Sequence, residues 1–309
     1  MDIKMADPGL TFDERSRSPL ASTYAFVSSR HWTFKAGSVL LAMVLVMVCF
    51  AQWVAPYDPA AQDLINRLQA PSAEHWLGTD HLGRDVLSRL LVGGQFAVTI
   101  SAITVIITLV VGTLIGVVAG RAGGLVDEVA MRVVDLLIAI PDVVIAIFLI
   151  GVFGPNYVTL ILSLTLIGWT PYARLARGLA KEVNAREYIR AAEVLGMKRS
   201  FVILRHIVPN TIRPVAAVSF LRFGHKLITV GGLSYLGLGV RPPNPDWGLM
   251  MAEAQPYLER APILMIAPGA VIFLAALGVT WIGHGLEIES RGARSRAGTN
   301  AEEAENGCP

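Results

Sequence analysis

An all-α membrane protein with six transmembrane helices is the fold class this sequence predicts, and three observations lead to it. Hydrophobic residues fill 53% of the 309 positions and charged residues only 16%, with a mean hydropathy of +0.54. A soluble domain carries roughly 25% charged residues. Apolar runs recur at the length a helix needs to cross a bilayer, about 20 residues. Lys and Arg also fall on one set of the segments between those runs, the asymmetry that fixes orientation in a membrane.

Residues 1–35 form a cytoplasmic tail, and residues 1–30, polar like 290–309 in tails rich in Ser, Gly, Ala and Glu, read as disordered. The first span, 36–55, has no Asp, Glu, Lys or Arg. It begins well inside the chain and lacks a small-residue cleavage site, so it reads as a retained anchor rather than a signal peptide. The external loop 56–89 is rich in Pro, Asp and Trp and long for a compact protein, so it is expected to fold over the outer mouth. Residues 90–286 form the core with five further spans. Leu90 to Gly120 is free of Asp, Glu, Lys and Arg, and its Gly112, Gly116 and Gly120 suit close helix packing. Val133 to Phe153 holds Asp135 and Asp142, and "FGPN" then separates it from Tyr157 to Ala173. Val215 to Leu238 is interrupted by Arg222, His225 and Lys226, and Pro262 to Leu286 closes the set. The polar tail 287–309 is expected to be disordered from about residue 290.

With both termini inside, 19 of the 26 Lys and Arg lie in cytoplasmic segments and 5 in external loops. The remaining two, Arg222 and Lys226, lie within a span. The chain is therefore read as a multi-pass inner-membrane protein with cytoplasmic amino and carboxyl termini.

The cytoplasmic loop 174–214 holds nine of those cations. Tyr188, Ala191, Ala192 and Leu195 recur at helical spacing, which predicts a short amphipathic helix from Glu187 to Leu195 with one small apolar face. Gly196 suits the left-handed position past its end. A second helix is expected from Ser200, as its cap, to Val208, ending before Pro209. Arg190, Glu193, Lys198 and Arg199 then face water or an acidic partner.

The spacing Arg190-Ala191-Ala192, then Gly196, then His206, Val208 and Pro209 resembles the cytoplasmic signature of ABC importer permeases, with Arg190 and His206 in place of the consensus Glu and Ile. "HWLGTDHLGRDVLSRLLVGG", His75 to Gly94, and "GGLSYLGLGVRPPNPDWGLMM", Gly231 to Met251, resemble the dipeptide, oligopeptide and nickel permease family, second-subunit type. The resemblance runs from about residue 34 to residue 286. It implies a type I importer permease fold in which Glu187, Arg190, Ala191, Ala192, Gly196, His206 and Pro209 belong to a coupling helix docked on a cytoplasmic ATPase. The implied partners are a homologous second permease, two ABC ATPases and an extracytoplasmic substrate-binding protein. No cofactor is expected on this chain, ATP and Mg being used by the ATPases. The implied cargo is a di- or oligopeptide, with nickel or another small solute as the alternative.

The sequence lacks a GxxxxGK[ST] phosphate loop, so ATP hydrolysis by this chain is not expected. Two cysteines, Cys49 and Cys308, and six scattered histidines give no metal-ligand spacing. A net charge of +2 gives no reason to expect nucleic acid. Ser234 in "GGLSYLG" lacks the GxSxG pattern, which leaves an intramembrane protease as the enzyme alternative. An ion-gradient carrier is the transport alternative.

Asp142, Arg222, His225 and Lys226 would be costly within a bilayer, at least about 2.5 kcal/mol each on insertion scales. Arg222, His225 and Lys226 share one helix face. Counted along straight helices, Asp142 reaches a similar depth, so it is expected to pair with Arg222 or Lys226. The group then either lines the pathway or forms a closed structural pair. Surplus positive charge would favour a carboxylate-bearing solute over a bare cation. In the outer loops, Trp76, Pro242, Pro243, Pro245 and Trp247 read either as interfacial anchors and helix stops or as a docking face.

Overall fold

The computed structural model describes residues 32–239 and 242–306; the tail to residue 31, with its expected disorder, Val240, Arg241 and residues 307–309 lie outside them. Among the described residues the secondary structure is helical, with no strand. The first span is α1, Trp32–Cys49, followed by a one-turn α2, Ala51–Val54. Helix α3, Val86–Ala122, starts four residues before the expected Leu90, because the Asp85 side chain accepts the Ser88 N–H and caps it there.

The expected straight span Val133 to Phe153 is instead two helices, α4 (Gly124–Ile138) and α5 (Asp142–Phe153), bent by 78°. Pro141 is the cause. It has no N–H to donate and disfavours helical geometry at Ile140, so it stands as the cap of α5 rather than inside one helix. Depth counted along a single axis from Val133 to Asp142 therefore does not hold. Helices α6 (Tyr157–Gly168) and α7 (Thr170–Asn184) follow one another across Trp169.

The loop 174–214 holds α8 (Glu187–Val194) and α9 (Arg199–Val202). Pro209 does not end the second helix. A π-helical turn, Ile203–Ile207, leads straight into α10, Val208–Tyr235, and Pro209 sits in its first turn. The Val208 N–H reaches back five residues to the Ile203 carbonyl, and Pro209, which has no N–H to add to that ladder, sits directly after this local change of helical pitch. Lys198 rather than Ser200 stands at the α9 cap position, without a side-chain hydrogen bond. Helix α11, Trp247–Ala254, is capped by Asp246. Helix α12, Ile263–Asn306, continues through residues expected to be disordered; its Ala-, Arg- and Glu-rich end has good helix formers and no proline.

Among the described residues, four helices are long and apolar enough to cross a membrane: Trp32–Cys49, Val86–Ala122, Tyr157–Asn184 and Ile263–Leu286. The bent α4–α5 pair makes a fifth if it is one span. The expected count of six depends on α10, whose 28 residues would reach about 42 Å but include Arg213, Arg222, His225 and Lys226.

Glycine and alanine let the long helices approach one another. A Cβ on Gly112 would lie 2.4 Å from the Trp169 carbonyl oxygen, one on Gly116 2.3 Å from that of Ala173, and one on Gly120 2.7 Å from that of Arg177. The glycine row thus packs α3 onto α7 within this chain. Gly116→Val is expected to cost about 1–3 kcal/mol or more through overpacking. Gly151→Val, where no atom lies within 4 Å of the new Cβ, should be tolerated. Thermal melting of the two variants in detergent compares them.

Ion pairs tie α4 to α7. Asp127 accepts from both Arg177 and Lys181, the latter at 2.6 Å, and Asp135 pairs with Arg174.

Candidate functional site

The loop 174–214 presents an apolar face that is uncovered among the described residues. The expected single face of α8 splits in two: Ile189 and Ala192 turn inward onto Val117, Ala180, Val183, Val202 and Ile207, whereas Tyr188, Ala191 and Leu195 turn outward. Leu195 is 77% exposed and Leu204 69%, and Phe201 is also exposed. The His206 ring lies 6.0 Å from Tyr188 and 6.1 Å from Phe201, measured between ring centroids. Glu187, Arg190, Lys198, Arg199 and Pro209 are exposed around this patch. Gly196 has φ +76° with open space around it, and the Met197 N–H returns to the Ala192 carbonyl at 3.1 Å. Its role is the left-handed turn that closes α8, and not a close backbone approach.

A second feature lies where the Pro141 elbow, the α6–α7 joint and α10 meet. A cavity of about 290 Å³ is lined by Asp142, Arg222, His225 and Lys226, together with Thr108 and Tyr172. Lys226 donates to Asp142 at 3.0 Å, with side-chain exposures of 8% and 28%. Asp142 is also in the first turn of α5, where the helix dipole favours a carboxylate. Arg222 and His225 project from the exposed face of α10 and form no ion pair among the described residues.

Residues 112–287 match the family described as binding-protein-dependent transport system inner membrane component, and residues 29–71 match the amino-terminal transmembrane domain of oligopeptide transport permease C. The chain belongs to this permease family. The permease is 35% identical over 261 residues to the nickel transport system permease protein NikC of Escherichia coli K12, covering 84% of this chain and 94% of the relative. It is 31% identical over 295 residues to the dipeptide transport system permease protein DppC of Alkalihalophilus pseudofirmus, covering 93% and 97%. The oligopeptide transport system permease protein OppC of Bacillus subtilis is 34% identical over 250 residues, covering 81% and 82%. The permease is thus a transport subunit of the peptide and nickel importer family, with a helical type I importer fold. The protease and ion-gradient carrier readings give way to that assignment.

The segment His75 to Gly94 of the permease packs against α11. Arg84 bridges Asp80 at 2.7 Å and Glu253 at 2.9 Å, while Arg89 pairs with Asp80 and reaches Glu253 at 2.8 Å. Sequence reading missed this two-by-two set, although "DHLGRDVLSR" places three of its four members within ten residues. Asp80, His81 and Glu253 lie close enough for a metal ion, yet both carboxylates are already neutralised by buried guanidinium groups. Arg89 and Arg84 outweigh the burial of Asp80 and hold its carboxyl below the usual carboxylate range.

Trp247 is neither an interfacial anchor nor part of a docking face: it is fully buried, and its Nε1 donates to the Leu90 carbonyl at 2.7 Å. Gly94 makes room for its ring. Ser234 is buried next to Asp246 without a well-formed hydrogen bond, and Ser234 Oγ and Asp246 Oδ1 both go without a partner among the described residues. Burial pushes the Asp246 carboxyl up to about 6 from the model-compound value of 3.8. Because the fold prefers the protonated acid, stability is greatest below the unfolded value and falls as pH rises to about 6. Asp246→Asn, which keeps a side-chain oxygen for the Leu249 N–H, should abolish that slope. At neutral pH it should raise stability by about 2–3 kcal/mol, read as melting temperature against pH in detergent.

Proposed function

We propose that this permease forms half of the translocation path of an ATP-driven importer, with both termini in the cytoplasm and α10 as the sixth span. A homologous permease completes the path, two ABC ATPases bind and hydrolyse MgATP, and an extracytoplasmic binding protein delivers the solute. No cofactor is required on this chain. The cargo is a di- or oligopeptide or a similar small solute, in line with the relatives named for dipeptide and oligopeptide transport; nickel is the alternative the first relative's name suggests.

The observation that carries the reading is the division of the two alanines: Ala192 anchors α8 to the body, and Ala191 faces outward in an apolar patch that no other segment covers among the described residues. A small residue at the centre of such a patch lets the wall of an ATPase groove close over it. Glu187, Arg190, Gly196, His206 and Pro209 frame that contact. Asp142, Arg222, His225 and Lys226 line the solute path. The test is cysteine cross-linking at Ala191 in native membranes, with Cys49 and Cys308 replaced by serine. An adduct with an ATPase is expected. Reaction only from the outer surface, or an active assembly with no ATPase adduct, would remove the reading.

A further inference from the structure

We propose that Arg222 receives an anionic group of the solute in transit, so that the path accepts carboxylate-bearing cargo and rejects bare metal cations. The proposal rests on the preceding assignment of the cavity to the solute path. Its basis is the charge inventory of that cavity. One carboxylate, Asp142, faces Arg222, His225 and Lys226. Lys226 takes up that carboxylate at 3.0 Å and is itself buried. Arg222 is left exposed, with no ion pair or hydrogen bond among the described residues. It is permanently charged and offers a planar fork of donors suited to a carboxylate.

Its position supports a ligand role. Arg222 is the fifteenth of the 28 residues of α10, at the middle of the helix. Packing does not hold it there, because the buried face of α10 is made by Val215, Leu227, Val230 and Leu233. His225, one turn away on the same exposed face, adds a further hydrogen-bonding group. A cavity with one acid already neutralised and an unpaired guanidinium in its lining repels divalent cations and concentrates anions. A site for a naked metal ion would need the opposite balance, several oxygen or nitrogen ligands with no competing cation.

The test uses the full-length permease in the membranes of cells that make the whole transporter. Cys49 and Cys308 are changed to serine, and Ile140→Cys, at an exposed lining position of the cavity, supplies a reporter thiol. Reaction rates with a negatively charged and a positively charged methanethiosulfonate of similar size are compared. The anionic reagent is expected to react on the order of tenfold faster. Arg222→Gln should bring the ratio towards unity, and Arg222→Lys should preserve it. Equal rates with Arg222 intact, as when an acid of the second permease neutralises it, would overturn the proposal while leaving the cavity on a water-filled path. So would a ratio that Arg222→Gln does not change. A thiol that reacts with neither reagent would overturn the path assignment itself, and the proposal with it.

Discussion

Asp142→Ala is expected to lower the stability of the permease by about 3 kcal/mol and to abolish uptake. The alanine strands the Lys226 ammonium, which is 8% exposed, without its only carboxylate partner among the described residues. Breaking a buried pair from one side typically costs 3–5 kcal/mol; the partial exposure of Asp142 and the open cavity place this case at the low end. Removing both charges together should behave differently. Asp142→Ala with Lys226→Met should regain most of the lost stability, since no unpaired charge remains, while uptake stays impaired if the pair works in the path. Melting in detergent and solute uptake in whole cells separate the two effects. A single variant that melts and transports like the parent would show that the pair matters to neither.

The second large effect concerns the adjacent alanines of α8. Ala191→Arg should leave the chain in the membrane at normal levels but cut uptake at least tenfold and weaken copurification of the ATPases, because a long charged side chain then stands at the centre of the apolar patch. Ala192→Arg should fail in another way. Ala192 is 7% exposed against Val117, Ala180 and Ile207, and a buried unpaired guanidinium there unseats the whole loop, so the chain itself should be lost from the membrane. Immunoblotting of membranes, ATPase copurification and uptake give three readouts. Identical outcomes for both variants would mean that the inward and outward faces of α8 are not functionally distinct.

Most of the architecture was legible because a membrane span is written in long apolar runs, which composition alone reveals. What the runs conceal is geometry set by single residues. Pro141 sits in an otherwise apolar stretch, so hydropathy reads through it and the 78° bend disappears from a one-dimensional count. Pro209 misleads in the opposite sense: it suggests an end where a π turn carries the helix onward. Helical spacing placed Ala191 and Ala192 on one face, but adjacent residues on a helix differ by about 100°, and packing against Val117 decided which of them turned inward. Asp142 was expected to pair with Arg222 or Lys226, and the structure selects Lys226. The Asp80, Arg84, Arg89 and Glu253 set joins residues more than 160 positions apart, a separation no local pattern spans.

The Pro141 elbow turns α4 and α5 into the two arms of a crank. One arm, α4, is bolted along its length to α7 through Asp127 and Asp135, and α7 runs almost directly into α8. The other arm starts with Asp142, whose partner Lys226 belongs to a different helix. A rigid shift of α7 of only about 1 Å relative to α10 would stretch a 3.0 Å contact past hydrogen-bonding reach. Under the proposed coupling role of α8, a push there would reach the Asp142–Lys226 contact through the α7–α4 ion pairs and the Pro141 elbow.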